Sequence, residues 1–209
     1  MINYNKRITE EFIRENKDKV DWFRISKFKN LSEEFIREFK DEVDWDSISL
    51  RQKLSESFIR EFQNKINWYL ISSYQKLSEG FIREFQKPLH WHWISCSQQL
   101  SENFIREFQN EVDWICISYY QKLSEDFIRE FQDKVNWNWI SFEQNLSVEF
   151  ILEFKDKINW ESFLKKFKFY LNKSDNKYQI KSNNYCSDIL DFSELINLTL
   201  RLISIKAFQ

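Results

Sequence analysis

The chain has 209 residues, a net charge of −2, 31% charged residues and 42% hydrophobic ones, a balance that marks a folded protein and offers no general attraction to nucleic acid or acidic membrane surfaces. No apolar run approaches the ~18–20 residues that span a bilayer, and Met1 to Arg7 lacks the apolar centre of a signal peptide. Cys96, Cys116 and Cys186 show no CxxC spacing, which fits a reducing compartment and an intracellular protein.

Residues 1–7 are a lead-in, and from Ile8 onward the chain is built from one unit. The leucine that opens it recurs every 23 residues, at 31, 54, 77, 100, 123 and 146, and a tryptophan recurs with the same period at 22, 45, 68, 91, 114, 137 and 160. A fixed period over seven copies is the signature of a repeat architecture.

Each copy carries two helix-start signals. Thr9, Ser32, Ser55, Ser78, Ser101, Ser124 and Ser147 precede the run that begins Glu-x-Phe-Ile, with Val148 in place of Glu in the last copy. There a hydroxyl can cap free N–H groups, and an acid suits the positive end of the helix. The second signal stands before the tryptophan: Asp21, Asp44, Asn67, Asp113, Asn136 and Asn159, with His90 as the exception. Two caps predict two helices per copy, each of roughly 8–10 residues, with the break near Asn64 to Ile66 and Pro88 falling in that break in the fourth copy. The fold class is therefore all-α, a solenoid of about seven short helix-turn-helix repeats over residues 8–171, followed by a divergent C-terminal capping segment, 172–209. A leucine-rich repeat can share the period, but LSESFIREF lacks the alternation that its strand requires.

At ~100° per residue, Phe58, Ile59 and Phe62 make one stripe of the first helix, and Trp68, Ile71, Ser72 and Gln75 one stripe of the second. The recurring serine gives a neighbouring helix room and can bond back to its own helix, and the recurring glutamine braces the turn into the next copy. Trp68, Trp91 and Trp114 are expected to be largely buried. Arg14, Arg37, Arg60, Arg83, Arg106 and Arg129 lie four residues after Glu in a solvated helix face, where they read as structural ion pairs, some linked between copies, rather than as a binding ladder.

The end copies deviate. Asn16 replaces the phenylalanine of later copies, and Val148 and Leu152 replace Glu and Arg, as if something covers them. The tail supplies the cover: Glu161 to Leu171 prolongs the last helix, Asn172 to Lys177 reads as a turn, and Ser187 to Phe208 is rich in Leu and Ile. Asp191 or Ser193 can cap a helix from Glu194, while Thr199 to Ile205 alternates partly as a strand does.

The motif LSEEFIREF followed by VDWxxIS resembles the short tandem repeats of proteins from giant viruses that infect amoebae, over Ile8 to about Trp160. That resemblance implies a viral origin, a helical array and a place in the host cytoplasm or the virion; it carries no activity, ligand or catalytic residue.

Four positions of the second helix vary: those one, two, five and six residues after each tryptophan up to Trp137. Of these 24 positions 14 are apolar or aromatic and five are charged, unlike a face that merely meets water. Either the face binds a partner or it packs inside a tightly wound array. The candidate partner-binding residues are Phe23, Phe28, Tyr69, Leu70, Tyr74, Trp93, Tyr119, Tyr120, Trp139 and Phe142. A protein partner is the first expectation, because aromatic anchors dominate such interfaces. A single-stranded RNA reader with one aromatic platform per copy is the alternative, disfavoured by the lack of a basic track. His92, Cys96 and Cys116 are a weak zinc candidate, for want of a fourth ligand. No cofactor, no membrane partner and no catalytic pattern is read; the chain is expected not to be an enzyme.

Overall fold

The structure, a computed structural model, describes residues 8–28 and 30–166, with side chains at all of these except 28, 148 and 164–166. They form an all-α repeat array: α1 (Glu10–Glu15), α2 (Trp22–Phe28), α3 (Glu33–Glu38), α4 (Trp45–Arg51), α5 (Glu56–Glu61), α6 (Trp68–Tyr74) and α7 (Glu79–Glu84), then α8 (Trp91–Ser97), α9 (Glu102–Glu107), α10 (Trp114–Tyr120), α11 (Glu125–Glu130), α12 (Trp137–Glu143), α13 (Val148–Glu153) and α14 (Trp160–Lys166). These are the seven helical pairs that the double caps predict. The chain falls into two compact units, Met1–Val112 and Asp113–Gln209, so α1 to α9 belong to the first and α10 to α14 to the second. The lead-in 1–7 and the segment from 167 onward, including the expected turn, helix or strand of the tail, lie outside the described residues.

The helices have six or seven residues, shorter than the spacing suggests, because capping groups close both ends. Ser55 Oγ accepts from the Phe58 N–H, and Asn67 Oδ1 accepts from those of Tyr69 and Leu70. His90 starts α8 with no side-chain cap bond. Between the two helices of a pair, the Lys65 and Ile66 N–H groups both donate to the Phe62 carbonyl, at 2.8 and 3.1 Å. Pro88 stands where Lys65 does and has no N–H for the first of these bonds.

The core is the same in every pair. Phe58 and Ile59, and their counterparts Phe35 and Ile36, Phe81 and Ile82, or Phe127 and Ile128, are fully buried, as are Ile48, Ile71 and Ile140 of the second helices. Each such side chain contributes on the order of 2–3 kcal/mol of burial. Trp68, Trp91 and Trp114 are mostly covered but not fully buried as the phenylalanines are. Each indole is a bracket between pairs, not a core filler. Trp45 packs on Phe58 and Phe62 of the next pair with ring centroids 6.3 and 4.9 Å away, while its Nε1–H donates to the Lys40 carbonyl at 2.9 Å. In the second unit Trp137 repeats this with Phe150, Phe154 and the Gln132 carbonyl. A ring that must reach a carbonyl at the edge of the array keeps that edge near water.

Polar groups then fasten each pair to the next. The recurring serine does more than make room: Ser49 Oγ donates to the Trp45 carbonyl at 2.7 Å and accepts from the Asn67 N–H at 3.0 Å. Gln75 Oε1 accepts from the Leu54 N–H at 3.1 Å, and its Nε2 donates to the carbonyls of Ser49 and Gln52 at 2.9 and 2.8 Å. Glu33 accepts from the N–H of Ser55, the cap of the following helix, at 2.6 Å. Arg60 Nε donates to Glu84 one pair later at 2.9 Å, and its guanidinium lies over the Phe81 ring at 4.9 Å. That bond, followed by the pull of Glu84, raises the Arg60 pKa above its ordinary value. The arginines thus tie neighbouring pairs, whereas the partner four residues earlier is only loosely met, Arg60 to Glu56 at 3.8 Å. Among the described residues no buried side-chain nitrogen or oxygen lacks a hydrogen bond.

Candidate partner-binding face

The four variable positions of the second helix look equivalent in sequence, but the structure divides them into two kinds. The residues one after the tryptophan, Phe23, Asp46, Tyr69, His92, Ile115 and Asn138, are all exposed. So are those six after it wherever the side chain is described: Arg51, Tyr74, Ser97, Tyr120 and Glu143. The residues five after it, Lys27, Leu50, Ser73, Cys96, Tyr119 and Phe142, are half-buried. Those two after it range from buried Ser47 and Cys116, through half-buried Leu70 and Trp93, to exposed Arg24 and Trp139. A helix in a row has neighbours on both flanks, and these two positions sit where the flanks meet.

Two aromatic clusters result, one in each unit. In the first, Tyr69 meets His90 and Trp93 edge-on, with centroids 5.2 and 5.7 Å apart, and His92 meets Trp93 at 5.0 Å. In the second, Tyr119 lies between Tyr120 at 4.4 Å and Trp139 at 4.5 Å, and Trp139 reaches Phe142 at 6.2 Å. Edge-to-face rings of this kind hold one another in place. The half-buried members, Trp93, Tyr119 and Phe142, support exposed ones: Trp93 packs on Tyr69, 44% exposed, and Tyr119 on Tyr120, 58% exposed; Tyr74 on α6 is 62% exposed. The sequence placed these residues on one face and could not separate supports from tips, because the distinction depends on which side of the helix the next pair approaches.

Of the ten residues expected to form the face, Phe23, Tyr69, Tyr74, Tyr120 and Trp139 are exposed, and Leu70, Trp93, Tyr119 and Phe142 are half-buried. The Phe28 side chain lies outside the described residues. Exposed Ile115 belongs with them, and its position one after Trp114 is the signal that identifies it. Six of the eight large hydrophobic side chains that stand exposed among the described residues are on this face; the other two, Phe12 and Leu152, are on α1 and α13. Charge on the face is confined to a few sites, and much of it is engaged: Arg24 pairs with Asp21 at 3.4 Å, Lys27 lies over the Phe23 ring, and Asp46 accepts from the Asn67 side chain at 2.8 Å.

Of the three zinc candidates, His92 is exposed, Cys96 half-buried and Cys116 buried. His92 Nε2 and Cys96 Sγ are 3.8 Å apart on one turn of α8, but Cys96 is disulfide-bonded, and so in the second unit is Cys116. Bonded so, the sulfurs are not thiolates; reduced, both cysteines are of the type zinc takes. A cleft of about 450 Å³ in the first unit is lined by Asp18, Trp22, Phe39, Asp41 and Glu42 among others, and no His, Ser or Cys lines it. Among the described residues no helix is long and apolar enough to cross a membrane. No protein-family model, no curated protein and no solved structure matches this chain.

Proposed function

We propose that the chain is a non-enzymatic scaffold that holds a protein partner against the second-helix face, with Tyr69, Tyr74, Tyr120 and Trp139 as anchors. The observation that carries this reading is the contrast within each repeat. The stripe of Trp, Ile, Ser and Gln is fixed because each member bonds or packs to a neighbour, whereas the exposed positions one and six after the tryptophan change from copy to copy and include the rings of Phe23, Tyr69, Tyr74 and Tyr120. Rigid aromatic tips on a braced helix lose little conformational freedom when a partner covers them. The arginine ladder also favours protein over nucleic acid, since Arg14, Arg37, Arg60, Arg83 and Arg129 are each held by a glutamate of the following pair, where a strand-binding groove needs cations turned to phosphate.

The test is capture of partners from the native host by three forms of the full chain. The Tyr74→Ser, Tyr120→Ser double variant is expected to lose capture. A control with Ser57→Lys and Gly80→Lys on the outer face of the first helices is expected to keep it. Binding of oligonucleotides at low salt that both doubles retain, with no protein captured, refutes the reading and moves it to single-stranded nucleic acid.

A further inference from the structure

A lysine in the turn after the first helix reaches back to the tryptophan of the preceding pair. Lys65 Nζ donates to Asp41 at 2.6 Å and to the Lys40 carbonyl at 3.2 Å, and it lies over the Trp45 ring at 5.9 Å. In the second unit Lys157 Nζ donates to the Gln132 side chain at 2.9 Å and to Asp133 at 3.2 Å, and it lies over the Trp137 ring at 5.7 Å. A carboxylate, an amide oxygen and an indole face together make a receptor for an ammonium group, and in these pairs the chain supplies the ammonium itself.

Between the first and second pairs the receptor is kept and the lysine is exchanged. Asp18, Trp22 and the Lys17 carbonyl stand 23 residues before Asp41, Trp45 and the Lys40 carbonyl. The Trp22 Nε1–H donates to the Lys17 carbonyl at 3.2 Å, as that of Trp45 does to Lys40 at 2.9 Å. Glu42 is the counterpart of Lys65. Its N–H donates to the Phe39 carbonyl at 3.0 Å, as the Lys65 N–H does to Phe62 at 2.8 Å, so its backbone holds the lysine's place. The cleft of about 450 Å³ lies here, with Lys17, Asp18, Trp22 and Glu42 in its lining. Two other acids of the lining are engaged, Glu38 by Arg14 and Asp41 by Lys65. Asp18 and Glu42 are exposed, and neither carboxylate has an ion-pair partner among the described residues. Of the six pairs of positions with this 24-residue spacing, from 18 and 42 to 133 and 157, only Asp18 with Glu42 joins two like charges.

We propose that this cleft binds a primary alkylammonium group from outside the chain, the end of a lysine side chain or of a polyamine, between the Asp18 and Glu42 carboxylates, the Lys17 carbonyl and the Trp22 ring. The indole favours an ammonium on an alkyl stem over a hard divalent cation, which takes oxygen ligands on every side. The second carboxylate, standing where Lys65 carries its own cation, adds a charge-assisted acceptor for the incoming one. The site is built from turns and stands independently of the second-helix face.

The test follows the indole N–H signals of the full chain by NMR while Nα-acetyl-lysine amide or spermidine is added at fixed ionic strength. The Trp22 signal is expected to shift saturably with both, and the tighter of the two names the source. The signals of Trp45 and Trp137, whose ammonium groups come from Lys65 and Lys157, are expected to stay in place. The same lysine probe acetylated at Nε carries no charge and is expected to leave Trp22 unmoved. Glu42→Lys puts the chain's own ammonium into the cleft and is expected to weaken both probes by about tenfold or more. Lys65→Glu takes the ammonium from the Trp45 site and is expected to make that signal respond. A Trp22 signal that does not move, that moves equally with the acetylated probe, or that moves no more than Trp45 overturns the proposal. Full binding in Glu42→Lys, or a silent Trp45 in Lys65→Glu, overturns it as well.

Discussion

Ser49 and Asn67 are eighteen residues apart and one repeat apart, and the hydroxyl of the first accepts the backbone N–H of the second at 3.0 Å while donating to the Trp45 carbonyl at 2.7 Å. A single oxygen thus serves its own helix and starts the next one. Ser49→Ala leaves a part-buried N–H without its acceptor, so it is expected to cost about 1–3 kcal/mol in urea unfolding, far more than a buried methyl-for-hydroxyl exchange with no partner. Serine rather than threonine fits because the site is fully buried; Ser49→Thr is expected to destabilise through crowding.

Gln75 carries a larger share of the same fastening, since it bonds three backbone groups drawn from the end of α4 and the linker that follows it. Gln75→Leu keeps the approximate volume and removes every one of these bonds. The expected loss is about 2–4 kcal/mol, above that of Ser49→Ala measured under the same conditions. Equal losses would show that the leucine N–H finds water.

The acid limb has a traceable component in Asp41. Its carboxylate accepts from Lys65 Nζ at 2.6 Å, and that bond, followed by the charge attraction, holds its pKa below the ordinary value. A carboxyl with a lowered folded-state pKa stabilises above its unfolded pKa, near pH 4, and that stabilisation is lost as pH falls through the folded value. In Lys65→Met the Asp41 midpoint, followed by NMR, is expected to rise toward the ordinary range. Both groups are solvent-exposed, so the accompanying change in stability is expected to be small and to shrink in salt.

Much of this was legible before the structure. The period gave seven pairs because two caps per copy at Ser55 and Asn67 leave no other use for the residues between them. The linking role of the arginines and the bracing role of Gln75 followed from their fixed places on a helix that has neighbours. Other features were not legible, for geometric reasons. Bonds such as Ser49 to Asn67 span 18 residues, and their existence depends on how closely one pair rides on the next, which periodicity within a helix does not contain. The tryptophans read as core because they never vary, yet what holds them constant is a carbonyl and two rings of the next pair rather than full burial. The variable face read as one surface, and the structure separates the supports Trp93 and Tyr119 from the tips Tyr74 and Tyr120.

Gly80 is the chain's one glycine and lies in α7 at a position filled by serine, asparagine or aspartate in the other mid-array copies. A Cβ added there comes no nearer than 3.8 Å to Ser78 Oγ, an ordinary contact. Gly80→Ala is therefore expected to stabilise the chain by about 0.5–1 kcal/mol, by restricting the unfolded chain and improving helix propensity. A loss of stability would mean that the α7 backbone needs the freedom of glycine.

The separation of tips from supports gives the sharpest expectation for the face. Tyr74 and Tyr120 are exposed, whereas Tyr119 packs edge-on against Tyr120 and Trp139 with centroids 4.4 and 4.5 Å away. Tyr74→Ser with Tyr120→Ser removes rings that are more than half exposed, so the melting temperature is expected to move by no more than about 2 °C, as surface substitutions usually do. Tyr119→Ala takes the middle ring from the second cluster and is expected to cost about 1–2 kcal/mol, beyond what the tips cost together, because it removes burial and two ring contacts at once. Both variants should weaken partner capture, for different reasons: the first by losing the anchors, the second by freeing Trp139 and Tyr120 to move. Adding Tyr119→Ala to the tip double should then destabilise without weakening capture further. If instead the tip double lowers the melting temperature as much as Tyr119→Ala does, the exposed rings are part of the fold and the face is not the one that meets a partner.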